Sequence, residues 1–418
     1  MPRISSPWTK TAATLLAAAF ALYVWRAATL SITTDEAFTC NSFVTPPWLQ
    51  ILTTYDANHH FLHSYLCKLV TSILGISPFA LRIPALLGSA LYLWSAWRLT
   101  RTLCGASPVM PALCALLAFH PGLIDYFSLA RGYSLALGLL LYALAESENA
   151  RWSRVSLALG LSVAANAVFI LPAAAWIAVM LVTHRLWKQA DALIAPGAVA
   201  ALILMVVPVT HATAGNFYFG APTLLASLQT VVIYPLTLIL VLAAAVYERG
   251  RLTVTLALIL AGLTALHLAK GIPWPQGRTG CYLIPLAILL LGHACARWRW
   301  TALPLAAGAA FFVAIITPRY TAEWQFDANN REIFAYLEAR YPTTPIAAEP
   351  PLFHGLEYYR RLRGLSTMPP ITQFDPANPA PVSVLMTPNP KFRDLIQFQP
   401  SGVQIAIPLN FAKPTSAQ

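Results

Sequence analysis

Charge is what this 418-residue chain has least of: Asp, Glu, Lys and Arg make up 10% of it, against 57% hydrophobic residues and a mean hydropathy of +0.61. A soluble protein of that length needs far more charge to cover its surface, so the reading as two or three soluble domains that length alone suggests is excluded. Clustered cysteine is also missing. The six cysteines (Cys40, Cys67, Cys104, Cys114, Cys281 and Cys295) form no CxxC and no metal-like group. Most read as small apolar packing residues, and Cys40 with Cys67 is the one pair placed to share an oxidising compartment. There is no internal repeat. The first apolar run, 11–30, lacks a small-residue cleavage site and is too long for a signal-peptide core, so it reads as a retained helix.

What is present is a series of apolar runs of about 20 residues, the length that crosses a hydrocarbon core. The fold class is a polytopic α-helical membrane protein. The net charge of +11 is distributed as basic pairs in alternate loops: Arg3 with Lys10, Arg98 with Arg101, Arg151 with Arg154, Arg185 with Lys188, Arg249 with Arg251, Arg297 with Arg299. That is the positive-inside pattern, which carries orientation and is no nucleic-acid footprint. With the pairs in the cytoplasm, the run 11–30 leads outward into a long outside loop, 31–78. Further spans are expected at 79–99, 107–122, 132–146, 153–166, 168–184, 193–211, 228–247, 252–269, 280–296 and 301–317, roughly eleven in all. The N-terminus is then cytoplasmic, and residues 1–318 form a multi-spanning domain in the plasma (inner) membrane. Within the outside loop, 61–76 has helical spacing and is expected to lie in the interface.

Composition changes after Pro318. Of the 27 basic and 16 acidic residues, 17 fall in the last 101 positions. Helical patterning at 329–340 and 352–361, then β-like runs at 382–386 and 403–407 bounded by prolines, point to a small extracytoplasmic α/β domain over 319–418.

Under this topology the polar outliers gather on the outer side. The first outside loop holds ITTDEAFTCNSF, with Asp35 and Glu36, and YDANHHFLH, with Asp56, Asn58, His59, His60 and His63. A later turn, FHPGLIDYFSLARGYSL, carries His120, Asp125, Arg131 and Tyr133, and LAKGIPWPQGRTGCYLIPL carries Lys270, Arg278 and Tyr282. Ionisable groups at membrane depth are costly and mark a function or an internal pair. Carboxylates from one loop facing cations from others suit a substrate with a phosphate and a hydroxyl to be activated. Bland readings stand beside this one: Asp35 and Glu36 as solvated charges ending a helix, Arg131 paired with Asp125, Lys270 snorkelling, His120 as a helix-end residue. Adjacent histidines cannot both face one site on a helix, so 59, 60 and 63 read as loop-surface histidines.

The order of these segments resembles the GT-C class of membrane glycosyltransferases. The nearest branch is that of protein O-mannosyltransferases and the lipid A aminoarabinose transferase, the glycosyltransferase family 39 kind. Asp35-Glu36 matches the acidic motif of that class's first outside loop. Asp56-Ala57-Asn58-His59-His60 partly matches a second aspartate motif, with His60 and Phe61 where proline is expected. The resemblance implies a polyprenyl-phosphate sugar donor, inversion at the sugar, and a glycan, lipid or protein acceptor on the outer face. Asp35 would take the acceptor proton, with Glu36 and Asp56 as further catalytic carboxylates. Arg131, Arg278, Lys270, Tyr133 and Tyr282 would bind the donor and its phosphate. A divalent ion, Mg or Mn, has candidate ligands in Glu36, Asp56 and His59. Asp35, Asp56, Arg131 and Arg278 are then expected on one outward-facing cavity. A transporter or flippase of a lipid-linked glycan, or an assembly protein built around the C-terminal domain, would use many of the same groups. The missing repeat and the odd span count argue against transport.

Overall fold

The computed structural model describes residues 6–213, 219–231 and 235–409. Arg3 of the first basic pair, and residues 232–234 of the expected span 228–247, lie outside the described residues. In chain order the helices are α1 (Pro7–Thr29), α2 (Thr34–Thr39), α3 (Trp48–Thr53), α4 (Phe61–Leu74), α5 (Pro78–Cys104), α6 (Val109–Ala118), α7 (Pro121–Ile124), α8 (Tyr133–Ser147) and α9 (Trp152–Ala165). They continue as α10 (Ile170–Thr183), α11 (Ala190–Val209), α12 (Leu224–Val231), α13 (Pro235–Tyr247), α14 (Arg251–Lys270), α15 (Leu283–Cys295) and α16 (Ala302–Ile315). The C-terminal segment adds β1 (Ile346–Ala348) between α17 (Asn330–Arg340) and α18 (Pro350–Leu362), then β2 (Thr372–Gln373), β3 (Val382–Leu385), β4 (Phe392–Gln397) and β5 (Gln404–Pro408). Four helical stretches are by length and apolarity able to cross a membrane: Pro7–Thr29, Pro78–Cys104, Leu186–Val209 and Arg251–Lys270. The other apolar helices run 10–17 residues.

The chain divides into two compact units. The first comprises Met1–Val24, Leu52–Leu66 and Pro84–Ile316; the second comprises Trp25–Ile51, Cys67–Ile83 and Thr317–Gln418.

In the first unit, helices pack through small residues. Lipid offers no hydrophobic drive for helices to associate, so close backbone approach and interhelical hydrogen bonds hold them. Gly160 of α9 faces Gly197 of α11: a Cβ on Gly160 would stand 2.0 Å from the Gly197 carbonyl oxygen. Ser156 Oγ accepts from Gly197 N at 2.9 Å, closing the contact with a polar bond. At helix ends of the same unit, Arg98 meets Glu146 at 2.5 Å, with Arg151 at 3.2 Å and Arg154 at 3.9 Å from the same carboxylate. Arg251 reaches the neighbouring Glu148 at 3.2 Å. Basic residues of alternate loops therefore share one end of this helix bundle.

The second unit contains a five-stranded sheet of order β2-β1-β3-β5-β4. β1 runs parallel to β2 and β3, and β5 runs antiparallel to β3 and β4. Central strands β3 and β5 are buried at every position, as VSVL and QIAIP would require, whereas edge strand β4 exposes much of FRDLIQ. Helix α18 packs on α17 and on α2. Gly197→Leu should destabilise the first unit by about 2 kcal/mol or more, because overpacking a backbone contact leaves nowhere for the side chain to go. A drop of several degrees in the thermal unfolding midpoint of detergent-purified protein would check it.

Candidate active site

The acidic stretch lies in the second unit, and its two carboxylates have different fates. Thr33 caps α2: its hydroxyl accepts from Glu36 N, and Thr33 N donates to Glu36 Oε2 at 3.0 Å, a capping box. Arg82 of α5 donates from Nε to Glu36 Oε1 at 2.8 Å and from Nη2 to Oε2 at 2.7 Å. Its remaining N–H groups go to the carbonyls of Ala27 (3.0 Å), Leu30 (2.9 Å) and Ser31 (2.8 Å). All five guanidinium donors are thus used, and both side chains of the pair are fully buried. Glu36 is a fold-holding residue by this geometry, and Asp35 beside it is half-buried.

Asp327 approaches the same turn from the C-terminal segment, a residue that sequence reasoning missed. Its carboxylate accepts from Thr34 N at 2.6 Å and from Asn330 Nδ2 at 2.8 Å. Burial pushes its pKa well above the usual carboxylate range; the bonds from Thr34 and Asn330 oppose the shift and the charge of Asp35 adds to it. Asn330 Nδ2 also donates to Ile32 O at 3.1 Å, and Tyr359 Oη accepts from Ile32 N at 3.1 Å. On α18, His354 sets its ring edge-on to Phe38 at 5.1 Å.

The cationic residues lie in the first unit. Arg131 is 1% exposed. Its guanidinium carbon stands 5.9 Å from the centre of the Tyr133 ring, and Tyr133 in turn lies 5.1 Å from the His60 ring. Gly132 makes this possible, since a Cβ there would fall 2.0 Å from Ala165 O and 2.8 Å from His60 Cβ. Burial pushes the His60 pKa well below its ordinary value, and the charges of Arg131, His63, Arg278 and His59 push it the same way. Arg131 and Arg278, from turns far apart in the sequence, thus act on one neutral imidazole. His60 Nε2 is buried with no hydrogen-bond partner among the described residues. Arg278 also stacks over Phe219 at 4.6 Å, and Tyr282 is buried against Phe169 at 5.5 Å.

Other expectations resolve differently. His59, His60 and His63 are buried, not on a loop surface. The His59 ring packs locally, on Phe61 at 4.5 Å with Nδ1 3.1 Å from Thr54 O, whereas His60 seats against Gly132 of a remote turn. Burial lowers the His59 pKa to about 4. Asp56 Oδ1 accepts from Asn58 N at 2.7 Å and shapes the turn that delivers these rings. Lys270 is exposed in the last turn of α14, where its charge suits the helix dipole. His120 caps α7, accepting from Gly122 N at 3.1 Å. Of the candidate metal ligands, Glu36 has both oxygens committed to Arg82 and Thr33. No three His, Cys, Asp or Glu side chains among the described residues group to hold a metal ion.

Two outcomes follow for the acidic turn. Arg82→Ala should cost about 3–5 kcal/mol, because it strands a buried carboxylate, while the paired change Arg82→Met with Glu36→Leu should cost much less; unfolding midpoints of the two variants give the comparison. Asp327 holds its proton more tightly folded than unfolded, so its contribution falls as pH rises above about 3.9, the unfolded carboxylate value, through the raised folded pKa. Asp327→Asn removes that dependence, and its stability relative to the parent should rise between pH 5 and pH 8.

No protein-family model and no curated protein matches the sequence. Solved structures do match. ArnT from Cupriavidus metallidurans in the apo state superposes with a TM-score of 0.60 at 12% identity, over 94% of this chain and 97% of ArnT. ArnT from the same organism bound to undecaprenyl phosphate gives a TM-score of 0.55 at 14% identity, over 94% and 97% of the two chains. Likeness at such identities is one of fold. It extends over nearly the whole length, the C-terminal segment included, and agrees with the resemblance carried by the motifs: this chain has the fold of ArnT.

Proposed function

We propose that the chain is a membrane glycosyltransferase that moves a sugar from a polyprenyl-phosphate donor to an acceptor hydroxyl on the outer face of the membrane, with inversion. The observation that carries this reading is the neighbourhood of His60, where the buried Arg131 lies over Tyr133 and Tyr133 meets the His60 ring. Arginine's forked donors fit the oxygens of a phosphate, and their charge is strong where water is excluded, as around the buried Arg131. The shared fold adds support, since ArnT was solved with undecaprenyl phosphate bound.

In this reading the acceptor hydroxyl gives its proton to the Asp35 carboxylate as its oxygen bonds to the anomeric carbon. The bond from that carbon to the donor phosphate oxygen breaks, and its electron pair leaves with the polyprenyl phosphate. The leaving group needs no proton, only stabilisation of its charge, which Arg131 and Arg278 supply by electrostatics that are strong where water is excluded. Asp35 is the base in this reading and Glu36 a support, its oxygens held by Arg82 and Thr33. The basic helix ends gathered on Glu146 face the cytoplasm by the positive-inside rule, and the segment from Thr317 onward then lies outside the plasma membrane.

Purified protein is assayed with undecaprenyl-phosphate-linked hexoses and pentoses against lipid A, glycan and Ser/Thr-peptide acceptors. Asp35→Asn should lower transfer by about 10²–10⁴-fold while leaving the unfolding midpoint within a few degrees of the parent. Full transfer by a folded Asp35→Asn protein would refute Asp35 as the base, and failure of the parent across the donor panel would refute the transferase reading.

A further inference from the structure

The C-terminal segment reaches the turn that carries Asp35, and it brings a titratable side chain there. Helix α18 packs on α2. Asp35 and Phe38 are three residues apart on α2 and so lie on one face of that helix. The His354 ring stands edge-on to Phe38 at 5.1 Å, which sets the imidazole beside the face that carries Asp35. Its position is fixed from two sides. Asn41 Nδ2 donates to His354 O at 3.4 Å, and the Phe353 ring lies 3.9 Å from the His354 ring.

Burial lowers the His354 pKa, and the charge of Asp35 opposes that shift, so the two groups sense each other. They are not joined: no hydrogen bond or ion pair links them among the described residues. Phe38 and Phe353 are its ring neighbours, and no hydrogen bond engages the His354 ring nitrogens among the described residues. A half-buried imidazole, held by aromatic contacts and coupled to a carboxylate without bonding to it, is placed to grip a hydroxyl-bearing molecule that the carboxylate also meets.

We propose that His354 is an acceptor-binding residue, hydrogen-bonding a hydroxylated acceptor so that its reacting oxygen is presented to Asp35. This rests on Asp35 being the base, and it assigns acceptor choice partly to α18. The proton still passes from the acceptor hydroxyl to Asp35; His354 orients and does not titrate in the step.

The test compares His354→Ala, His354→Asn and Asp35→Asn in the transfer assay, together with equilibrium binding of undecaprenyl phosphate. His354→Ala should lower kcat/KM for the acceptor by about 10- to 100-fold, the scale of a lost positioning contact, with the donor KM and the undecaprenyl phosphate Kd unchanged. His354→Asn, which keeps an N–H donor, should recover part of the loss. Parental acceptor kinetics in His354→Ala alongside an inactive Asp35→Asn would overturn the assignment and leave the base in place. Equal losses in acceptor kinetics and undecaprenyl phosphate binding, without rescue by Asn, would overturn it in favour of a purely structural ring. An active Asp35→Asn would instead sink the base itself.

Discussion

A buried arginine with every donor spoken for is the constraint on which the acidic turn depends. Arg82 enters an apolar environment only because Glu36 and three carbonyls near the end of α1 take all of its N–H groups. A pair of this kind adds little net stability over a hydrophobic substitute, but it fixes register: one-residue slippage of α2 would leave both charges uncompensated. At six residues α2 is far too short to persist alone. It is held by a capping box at its start, by Arg82 on one carboxylate and by Asp327 on its first backbone amide. The position of Asp35 is thus set by partners of its neighbours.

How much of this was legible in the sequence varies with the range of the deciding interaction. Apolar runs and helical spacing are local, and α1, α5, α14, α17 and α18 stand close to where they were expected. Strands β3 and β5 could be read because each is a run of buried β-formers. Strands β1 and β2 have three and two residues, too few to show a period, and exist through their parallel partners. Asp35 and Glu36 are chemically alike in sequence, and the residue that separates their roles lies in a later apolar stretch, PFALRIPALLG. An arginine within such a run was the available signal for an internal partner, and it went unused. Asp327 offered none, being one acid in a charged segment. The histidines were misjudged because burial of His60 is decided by Gly132, in a turn remote in sequence.

Two kinds of charge management coexist in the molecule. Glu36 and Glu357 are saturated by guanidinium and backbone donors: Glu357 takes Arg360 at 2.7 Å, Arg361 at 2.9 Å and Ile371 N at 3.1 Å. Such groups anchor elements. Around Arg131 and Tyr133, by contrast, burial and nearby guanidinium charge keep the His60 imidazole neutral. The first kind anchors elements, and the second sets the protonation of a side chain without bonding to it.

The cluster on Glu146 bears on the protein's biogenesis. Arg98 sits near the end of α5, Arg154 in the first turn of α9 and Arg151 just before it, positions whose positive charge the positive-inside rule reads for orientation. In the finished bundle one carboxylate collects all three. Before α5, α8 and α9 have packed, that carboxylate has not gathered them, and the three charges stand apart. The clasp therefore exists only in the assembled bundle, and forming it is a late step that ties the end of α5 to the α8–α9 turn.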